Sequence, residues 1–162
     1  MKTEWLTKEL ADSLFYYKDG SLYWKVDRAS NKVKDTKVGS ITKSGYFESK
    51  LDGKPFKTHR VVFLIHHGYL PVMVDHINGV RSDNRIENLR AATPSQNKIN
   101  QITYKNNTSG VKGVYLKNNK WSAQINYDNK RRYLGAFDTI ELASEFADLA
   151  RQMVHQDFAR TA

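Results

Sequence analysis

The spacing of hydrophobic residues predicts one clear helix near the C-terminus and three strands before it. From Ala143 to Val154, apolar residues recur every three to four positions with acidic residues between them, as is typical of an amphipathic helix. Three shorter segments upstream are separated by turns rich in Asn and Asp. The predicted strands are 111–116, 120–127 and 131–137, the predicted helix is 140–158, and its apolar stripe is Ala143, Phe146, Ala147, Ala150, Met153 and Val154.

The first half of the chain combines short helices with short strands. Apolar residues at helical spacing predict helices over 3–17 and over 60–67, the second ended by Gly68. Aromatic and apolar runs between turn residues predict strands. These strands are 21–26, one around 45–47 and one around 54–57, with Asp52-Gly53 as a hairpin turn and the lysine-rich segment 27–37 as a loop.

Between these regions lies a segment, 73–100, that is too rich in Asp, Asn and Arg to form a core by itself. A short strand is predicted to run into Asp75-His76, a tight turn follows at Asn78-Gly79, and a second strand is predicted at 89–92. Thr93-Pro94 is typical of a helix start. Strand, strand and helix make a compact unit that needs neighbours for stability, and the polar segment 101–110 after it is predicted to be a linker.

Composition narrows the class of protein. The 162 residues carry 26 Lys and Arg against 17 Asp and Glu, so the net charge is +9 and the pI is about 9.6. A hydrophobic fraction of 40% is enough for a core and excludes wholesale disorder. Because no cysteine is present, disulfides, cysteine nucleophiles and thiolate zinc sites are excluded. Without a membrane-length apolar run or a signal-peptide stretch, the expectation is a cytoplasmic, non-secreted protein with a polyanionic partner.

The excess positive charge is concentrated in the predicted C-terminal sheet. Residues 104–133 contain seven Lys and Arg and one Asp, whereas residues 138–157 contain five Asp and Glu and one Arg. The predicted sheet is therefore basic and the helix after it is acidic. This polarity predicts that one face of the sheet meets an anion.

The candidate chemical site consists of a histidine with a carboxylate neighbour and two amides downstream: Asp75, His76, Asn88 and Asn97. Such a set suits metal-assisted attack of water on a phosphodiester, because neutral His76 can take a proton from the water. Asp75 and Asn97 offer oxygen ligands for a hard divalent cation, and Asn88 can brace the loop. The same residues also occur in ordinary surface turns. In a regular strand Asp75 and His76 point to opposite faces, so both reach one site only if the strand ends or kinks there.

These residues lie in three motifs: V-D-H-I-N-G at 74–79, D-N-R-I-E-N-L-R at 83–90 and T-P-S-Q-N-K-I-N at 93–100. The motifs closely resemble those of the HNH (ββα-metal) endonucleases, in particular the phage and intron-encoded homing endonucleases, and the resemblance extends upstream to about residue 15. It implies a general base at His76, metal ligands at Asp75 and Asn97, and a structural asparagine at Asn88. It also implies one divalent metal, Mg²⁺ or Mn²⁺, and cleavage of double-stranded DNA.

Two features depart from that family. The third letter of the motif is Asn97 rather than a histidine, and the cysteine-pair zinc ribbon of some relatives is missing, so no structural zinc is expected. His59 and Arg60 match a recurring pair of the family and are expected to be structural or to contact phosphate, which makes Arg60 a candidate DNA contact. The other histidines are expected on helix surfaces: His66, His67 and His155.

The C-terminal strands contain three further motifs: S-G-V-K-G-V-Y at 109–115, K-W-S-A-Q-I at 120–125 and R-R-Y-L-G-A-F-D-T at 131–139. With the helix after them, they are similar to the Apetala/ethylene-response-factor type DNA-binding domain, whose three-stranded sheet enters the major groove. Alternation independently puts Gln124 and Asn126 on one face, opposite Ala123 and Ile125. The resemblance implies that basic, amide and aromatic side chains face DNA: Lys112, Tyr115, Lys117, Trp121, Gln124, Asn126, Arg131 and Tyr133.

The expected fold is α+β with two modules. An HNH ββα-metal nuclease unit with a small β-rich N-terminal extension is expected over 1–100 (core about 72–100), and a three-stranded antiparallel sheet packed on one helix over 111–160. The expected function is a homing-type endonuclease that nicks double-stranded DNA as a monomer or weak dimer, in the cytoplasm of a bacterial host if phage-encoded. No membrane partner and no obligate protein partner is expected. Two alternatives stay open: a DNA-binding regulator with an inert nuclease unit, and a relaxed-specificity phage nuclease for DNA degradation or packaging.

Overall fold

The structure, a computed structural model, describes residues 5–27, 33–99, 107–127 and 130–155. The chain divides into two compact units, Met1–Pro94 and Ser95–Ala162, and it has the mixed α/β character that the sequence predicts. Most of the predicted linker lies outside the described residues, so that boundary stays a prediction. Within the described ranges, none of the helices has the length and apolarity that a membrane crossing requires.

The first unit combines short antiparallel sheets with helices. In chain order its elements are α1 (Lys8–Leu14), β1 (Phe15–Lys18), β2 (Ser21–Trp24), β3 (Ser40–Ile41), β4 (Phe47–Leu51), β5 (Lys54–Lys57), α2 (Thr58–His67), β6 (Met73–His76), a 3₁₀ turn (Ile86–Asn88) and β7 (Leu89–Ala92). β1 pairs with β2, β4 pairs with both β3 and β5, and β6 pairs with β7, in each case antiparallel.

The N-terminal helix is shorter than predicted. α1 begins after Thr7, whose hydroxyl caps its first turn, and ends at Leu14. The prediction of helix through Tyr17 is wrong, because Phe15 starts β1 and its ring packs on that of Trp24 in β2, with 4.8 Å between centroids. Aromatic residues fit the pleated, half-buried surface of a strand, and here cross-strand packing outweighs local helical spacing.

The core of the first unit forms around α2. Val61 and Val62 of this helix are fully buried in one cluster with Leu22 and Phe56 from the strands. As predicted, α2 ends at Gly68, whose φ of 78° lies in the left-handed region that favours glycine. α2 also packs against β6 and β7, so the core fixes the strand that carries the candidate chemical residues.

The second unit is a sheet covered by a helix. α3 (Pro94–Ile99) begins at the boundary residue, and the elements that follow are β8 (Val114–Lys117), β9 (Lys120–Tyr127), β10 (Lys130–Phe137) and α4 (Ile140–His155). The sheet is antiparallel in the order β10-β9-β8. Its small core joins Val114 and Ala123 of the sheet to Ala143 and Ala147 of α4.

β8 starts three residues later than predicted because the chain first passes close to β9. Gly113 has a φ of 77°, and a Cβ atom at this position would lie 2.4 Å from the backbone oxygen of Gln124. Only glycine allows this approach, in which the Gln124 N–H donates to the Gly113 carbonyl at 2.8 Å. The predicted turn at 128–129 lies outside the described residues.

The buried stripe of α4 is narrower than predicted. Ala143 and Ala147 are buried, but Phe146 is 50% exposed and Met153 is 83% exposed, so their prediction as core residues is wrong. The buried position at the far end of the stripe is instead taken by Arg151, which donates to the backbone oxygen of Lys112 at 2.6 Å. The small core of this unit is therefore built from alanines of α4, while the half-exposed Phe146 ring lies 5.2 Å from that of Phe137 in β10.

Candidate active site

Asp75 and His76 are the last two residues of β6, and both are buried, with exposed fractions of 5% and 4%. They pair with Arg90 and Leu89 of β7 in a regular antiparallel register. Because successive side chains of a strand point to opposite faces, the two side chains have separate neighbours. The chain turns directly after His76, where the Gly79 N–H donates to the His76 carbonyl at 2.8 Å, as expected for the predicted Asn-Gly turn.

The imidazole of His76 is oriented by Asn84. The Nε2–H of His76 donates to Oδ1 of Asn84 at 3.0 Å, and Asn84 is only 2% exposed. In a neutral ring this bond leaves the lone pair on Nδ1, which is therefore the nitrogen able to take a proton. Asn84 lies within the second motif, but no sequence signal marks it as functional. Only the folded loop brings it to His76.

The environment of His76 favours the neutral ring. Burial lowers the pKa of His76 below its usual value, and the charge of Arg81 acts in the same direction. The hydrogen bond to Asn84 and the charges of Asp75 and Asp83 oppose this shift but do not outweigh it. His76 is therefore deprotonated near neutral pH, as a general base must be.

Asn88 closes the loop that follows β6. Its Oδ1 accepts the backbone N–H of Asn78 at 2.9 Å, and its Nδ2 donates to Oδ1 of Asn78 at 3.0 Å and to the backbone oxygen of Asp83 at 2.8 Å. Asn88 is buried, so each bond replaces a contact with water. These bonds link both ends of the loop that carries Asn84. A catalytic contribution of Asn88 stays a prediction.

Asp75 forms a buried ion pair with its cross-strand neighbour Arg90. Both Nε and Nη2 of Arg90 contact the same carboxylate oxygen, Oδ2, at 3.0 and 2.9 Å. The carboxylate is a hard oxygen donor of the type that Mg²⁺ and Mn²⁺ prefer. Among the described residues, no group of three or more His, Asp or Glu side chains could hold a metal ion. A cation at Asp75 would thus take further ligands from amide, water or phosphate oxygens.

The remaining predicted residues of this region have different positions. Asn97 lies half-buried on α3, in the second compact unit, so its assignment as a metal ligand rests on the sequence resemblance. Arg60 donates to the backbone oxygens of Pro71 and Val72, at 3.1 and 3.3 Å, directly before β6. These bonds give Arg60 a structural role, and a DNA contact by it stays a prediction.

A ring with two cations lies next to His76. The centroid of the Tyr46 ring is 6.0 Å from that of His76, and Nζ of Lys57 and Cζ of Arg81 lie 3.8 and 5.1 Å from the Tyr46 centroid. Glu48 is near Lys57, with 3.9 Å between Oε1 and Nζ. No sequence pattern indicated a functional role for these residues, which come from separate strands and loops. They place positive charge close to the candidate base.

The other histidines are distributed along the helices. His66 and His67 are exposed on α2, as expected. His155 is half-buried, and its ring centroid lies 6.3 Å from that of Tyr127, so its prediction as a surface residue is only partly right.

The second unit presents a polar sheet face opposite α4, which we call the outer face. Ala123 and Val114 pack towards the helix, so the residues that alternate with them point away from it. Register then aligns Gln124 with Tyr133 and Asn126 with Arg131. The outer face carries these predicted DNA contacts: Tyr115, Lys117, Gln124, Asn126, Arg131 and Tyr133.

Two residues predicted to face DNA are not on the outer face. Trp121 shares the side of Ala123, packs against the core cluster and pairs with Phe137, so its prediction as a DNA-facing residue is wrong. The strand period of two decides this, since 121 and 123 have the same parity. Lys112 precedes β8 and lies outside the strand register, where its carbonyl accepts the bond from Arg151.

Comparisons with known proteins agree with the first unit. A family model described as HNH endonuclease matches residues 56–99, a range that includes His59, His76 and Asn88. Protein 3.8 of Escherichia phage T7 is 32% identical over 89 residues, which are 54% of this chain and 73% of the phage protein. A second relative is a protein of Acanthamoeba polyphaga mimivirus that is named an uncharacterized HNH endonuclease. It is 32% identical over 123 residues, which are 74% of this chain and 63% of that protein. No solved structure matches the chain significantly.

Proposed function

Residues 56–99 match the family model of the HNH endonucleases, metal-dependent nucleases that act on DNA, and we propose that the chain is a site-directed HNH endonuclease of the homing type. The single observation that carries the proposal is the buried His76, oriented by Asn84 at the end of β6 with Nδ1 as its basic nitrogen. In this proposal the first unit hydrolyses a phosphodiester bond and the second unit binds the target duplex.

The proposed reaction is hydrolysis with His76 as the general base. Nδ1 takes a proton from water while the water oxygen forms a bond to phosphorus. The bond from phosphorus to the 3′ oxygen breaks, and the departing 3′ oxygen takes a proton from solvent. The products are a 5′-phosphate and a 3′-hydroxyl. The Asn84 oxygen stabilises the imidazolium that forms, since it accepts the Nε2–H in both protonation states. A base so positioned contributes about 10²–10⁴-fold to the rate.

Asp75 and Asn97 are the proposed ligands of the divalent cation, Mg²⁺ or Mn²⁺. When bound, the cation supplies positive charge that stabilises the phosphorane-like transition state and the departing oxygen. Arg90 orients the Asp75 carboxylate through Oδ2 and compensates its buried charge before a cation binds. Asn97 would add an amide oxygen from α3 by the residue-by-residue resemblance to the family.

Lys57 and Arg81 are proposed to contact the DNA backbone near the cleaved bond. Both lie over the ring of Tyr46, which adjoins His76, so they bring two positive charges to the neighbourhood of the candidate base. Positive charge next to the reacting group attracts an anion. A phosphate of the bound strand is such an anion, and Lys and Arg are its usual protein partners.

The outer face of the second unit is proposed to bind the duplex in the manner of an Apetala/ethylene-response-factor type domain. Arg131 can form bidentate bonds with guanine, Gln124 and Asn126 can pair with adenine, and Lys117 suits phosphate. With one active site per chain, a monomer would nick one strand, and a double-strand break would need two events or two copies.

A supercoiled-plasmid assay tests the proposal. We expect nicking with Mg²⁺, none with EDTA, and a loss of about 10²–10⁴-fold in His76→Ala, which should still bind DNA. His67→Ala, on the exposed side of α2, is the matched control and should cleave normally. Nicking that survives in His76→Ala would overturn the assignment of the base. A wild-type protein that binds DNA but never cleaves it would favour the regulator with an inert nuclease unit.

A further inference from the structure

His59 forms a ring cluster with the candidate base. It is the second residue of α2, and its ring centroid lies 4.9 Å from that of His76, with an interplanar angle of 70°. Tyr46 completes the cluster, with centroids 5.2 Å from His59 and 6.0 Å from His76. The ring of His76 is therefore held by Asn84 through a hydrogen bond and by His59 and Tyr46 through packing.

The imidazole of His59 costs stability where it lies. His59 is 4% exposed, and its Nδ1 is buried without a hydrogen-bond partner among the described residues. A buried polar atom without a partner lowers stability relative to an apolar group of the same shape. If only ring packing mattered here, phenylalanine would serve better, so the nitrogen needs a functional explanation.

His59 stays uncharged beside His76. Burial holds the pKa of His59 well below its usual value, and the charges of His76, Lys57 and Arg60 act in the same direction. A neutral ring next to the base does not repel the imidazolium that His76 becomes during the reaction. It also keeps one nitrogen as donor and the other as acceptor.

We propose that His59 is a positioning residue of the active site: its ring fixes the plane of the His76 imidazole, and its Nδ1 finds a hydrogen-bond partner once DNA is bound. That partner is a phosphate oxygen or a water ordered by it. This inference rests on the proposed role of His76 as the base. It goes beyond that role, because it gives the reaction a second imidazole that does not itself take the proton.

Three substitutions in the full chain separate the ring from the nitrogen. His59→Phe keeps an aromatic ring and removes both nitrogens. His59→Asn places an amide near the position of Nδ1, and His59→Gln places one near that of Nε2. His67→Phe, on the same helix but exposed, is the matched control. For each variant we would measure the nicking rate with enzyme in excess over supercoiled plasmid and saturating Mg²⁺, the Kd for a random duplex in EDTA, and the melting temperature.

We expect His59→Phe to melt no lower than the wild type and to bind duplex at most about tenfold more weakly, the effect of losing one neutral hydrogen bond. With enzyme in excess, it should nick about 10- to 100-fold more slowly. His59→Asn should recover part of the rate, and His59→Gln should not. The control should match the wild type in rate, Kd and melting temperature.

A His59→Phe rate within about twofold of the wild type would overturn the proposal, since ring packing alone would then suffice. If His59→Phe does not fold, equal rates for His59→Asn and His59→Gln would overturn it in the same way. Normal nicking by His76→Ala would instead defeat the proposed function itself, so the two failures are distinguishable.

Discussion

The candidate residues of the first unit are buried and hydrogen-bonded within that unit, whereas those of the second unit lie on an open sheet face. Asp75, His76, Asn84 and Asn88 are each at most 6% exposed, but Tyr133 on the outer face is 63% exposed. In the first unit, each functional group is also a part of the packed structure. In the second unit, successive residues of each strand point alternately to the helix and to the face that is proposed to bind DNA.

This difference decides whether a substitution can change activity or binding without changing stability. Removing a buried, paired group from the first unit alters stability and activity together, because a partner is left without compensation. On the sheet of the second unit, stability and DNA binding depend on different residues. Inward side chains affect folding, and their outward neighbours are proposed to affect binding.

The largest effect is expected from breaking the buried ion pair of the first unit. Arg90→Leu leaves the carboxylate of Asp75 buried without its guanidinium, which should cost about 3–5 kcal/mol in the free energy of unfolding. Urea denaturation measures this loss. Arg132→Leu is the matched control on exposed β10 and should cost less than about 1 kcal/mol, the value of its contact with the Tyr127 ring. Equal losses in both variants would contradict the contrast between the units.

The second prediction uses opposite faces of the sheet in the second unit. Trp121→Ala removes half-buried aromatic surface from the core side and should destabilise the protein by about 2–3 kcal/mol. Arg131→Ala, on the outer face, should change stability by less than about 0.5 kcal/mol and weaken duplex binding by about 1–3 kcal/mol. Urea denaturation and mobility-shift titration measure the two properties. If Arg131→Ala binds duplex normally, the outer face is not the DNA-binding surface at this position.

The third prediction concerns the pH dependence of stability. The folded pKa of His59 is well below 6.5, whereas in the unfolded chain it is close to 6.5. Below about pH 6.5 the unfolded chain therefore binds a proton that the folded chain does not, and stability falls as pH decreases. In general, a difference of one pH unit between the folded and unfolded pKa changes the free energy of unfolding by about 1.4 kcal/mol.

His59→Phe removes this contribution and should lose less stability than the wild type between about pH 7.5 and pH 5.5. Urea midpoints at the two pH values measure the difference. The buried His76 acts in the same direction and remains in the variant, so a smaller dependence persists. An identical loss in both proteins would show that His59 does not titrate as its burial requires.

The smallest effect is expected from the cations around Tyr46. Each of Lys57→Gln and Arg81→Gln should reduce the slope of log K against log salt for duplex binding by about 0.9, because each removes one phosphate contact. Lys54→Gln is the matched control, since Lys54 lies 5.5 Å from the Trp5 ring in the same unit and contacts no ring of the cluster. An unchanged slope in both variants would exclude Lys57 and Arg81 from the DNA interface while leaving the role of His76 intact.

Local chemistry allowed much of the fold to be predicted. The Asn-Gly and Asp-Gly turns, the end of α2 at Gly68 and the strand at Leu89–Ala92 follow from backbone preferences of a few neighbouring residues, and the structure has each of them. Phe15 was one exception, because its strand depends on pairing with β2 rather than on its own neighbours.

The motifs of the candidate site could be predicted from the sequence, but the residues that contact His76 could not. Spacing and residue type pointed to Asp75, His76 and Asn88, which carry recognisable chemistry. Asn84 has no such signal, since an amide in a loop is common, and the family pair that includes His59 does not indicate that it contacts His76. They acquire a role only through their contacts with His76, at 3.0 Å and across a 4.9 Å ring pair.

The sequence by itself determined the resemblance to the HNH endonucleases, the position of the candidate base and the excess of positive charge, because residue type and short spacing do not depend on how the chain folds. Tertiary structure alone decided that Arg90 compensates Asp75 and that Asn84 selects Nδ1 of His76 as the basic nitrogen. Strand register and packing between distant segments set these contacts. A change of one residue in register would turn each strand side chain to the other face.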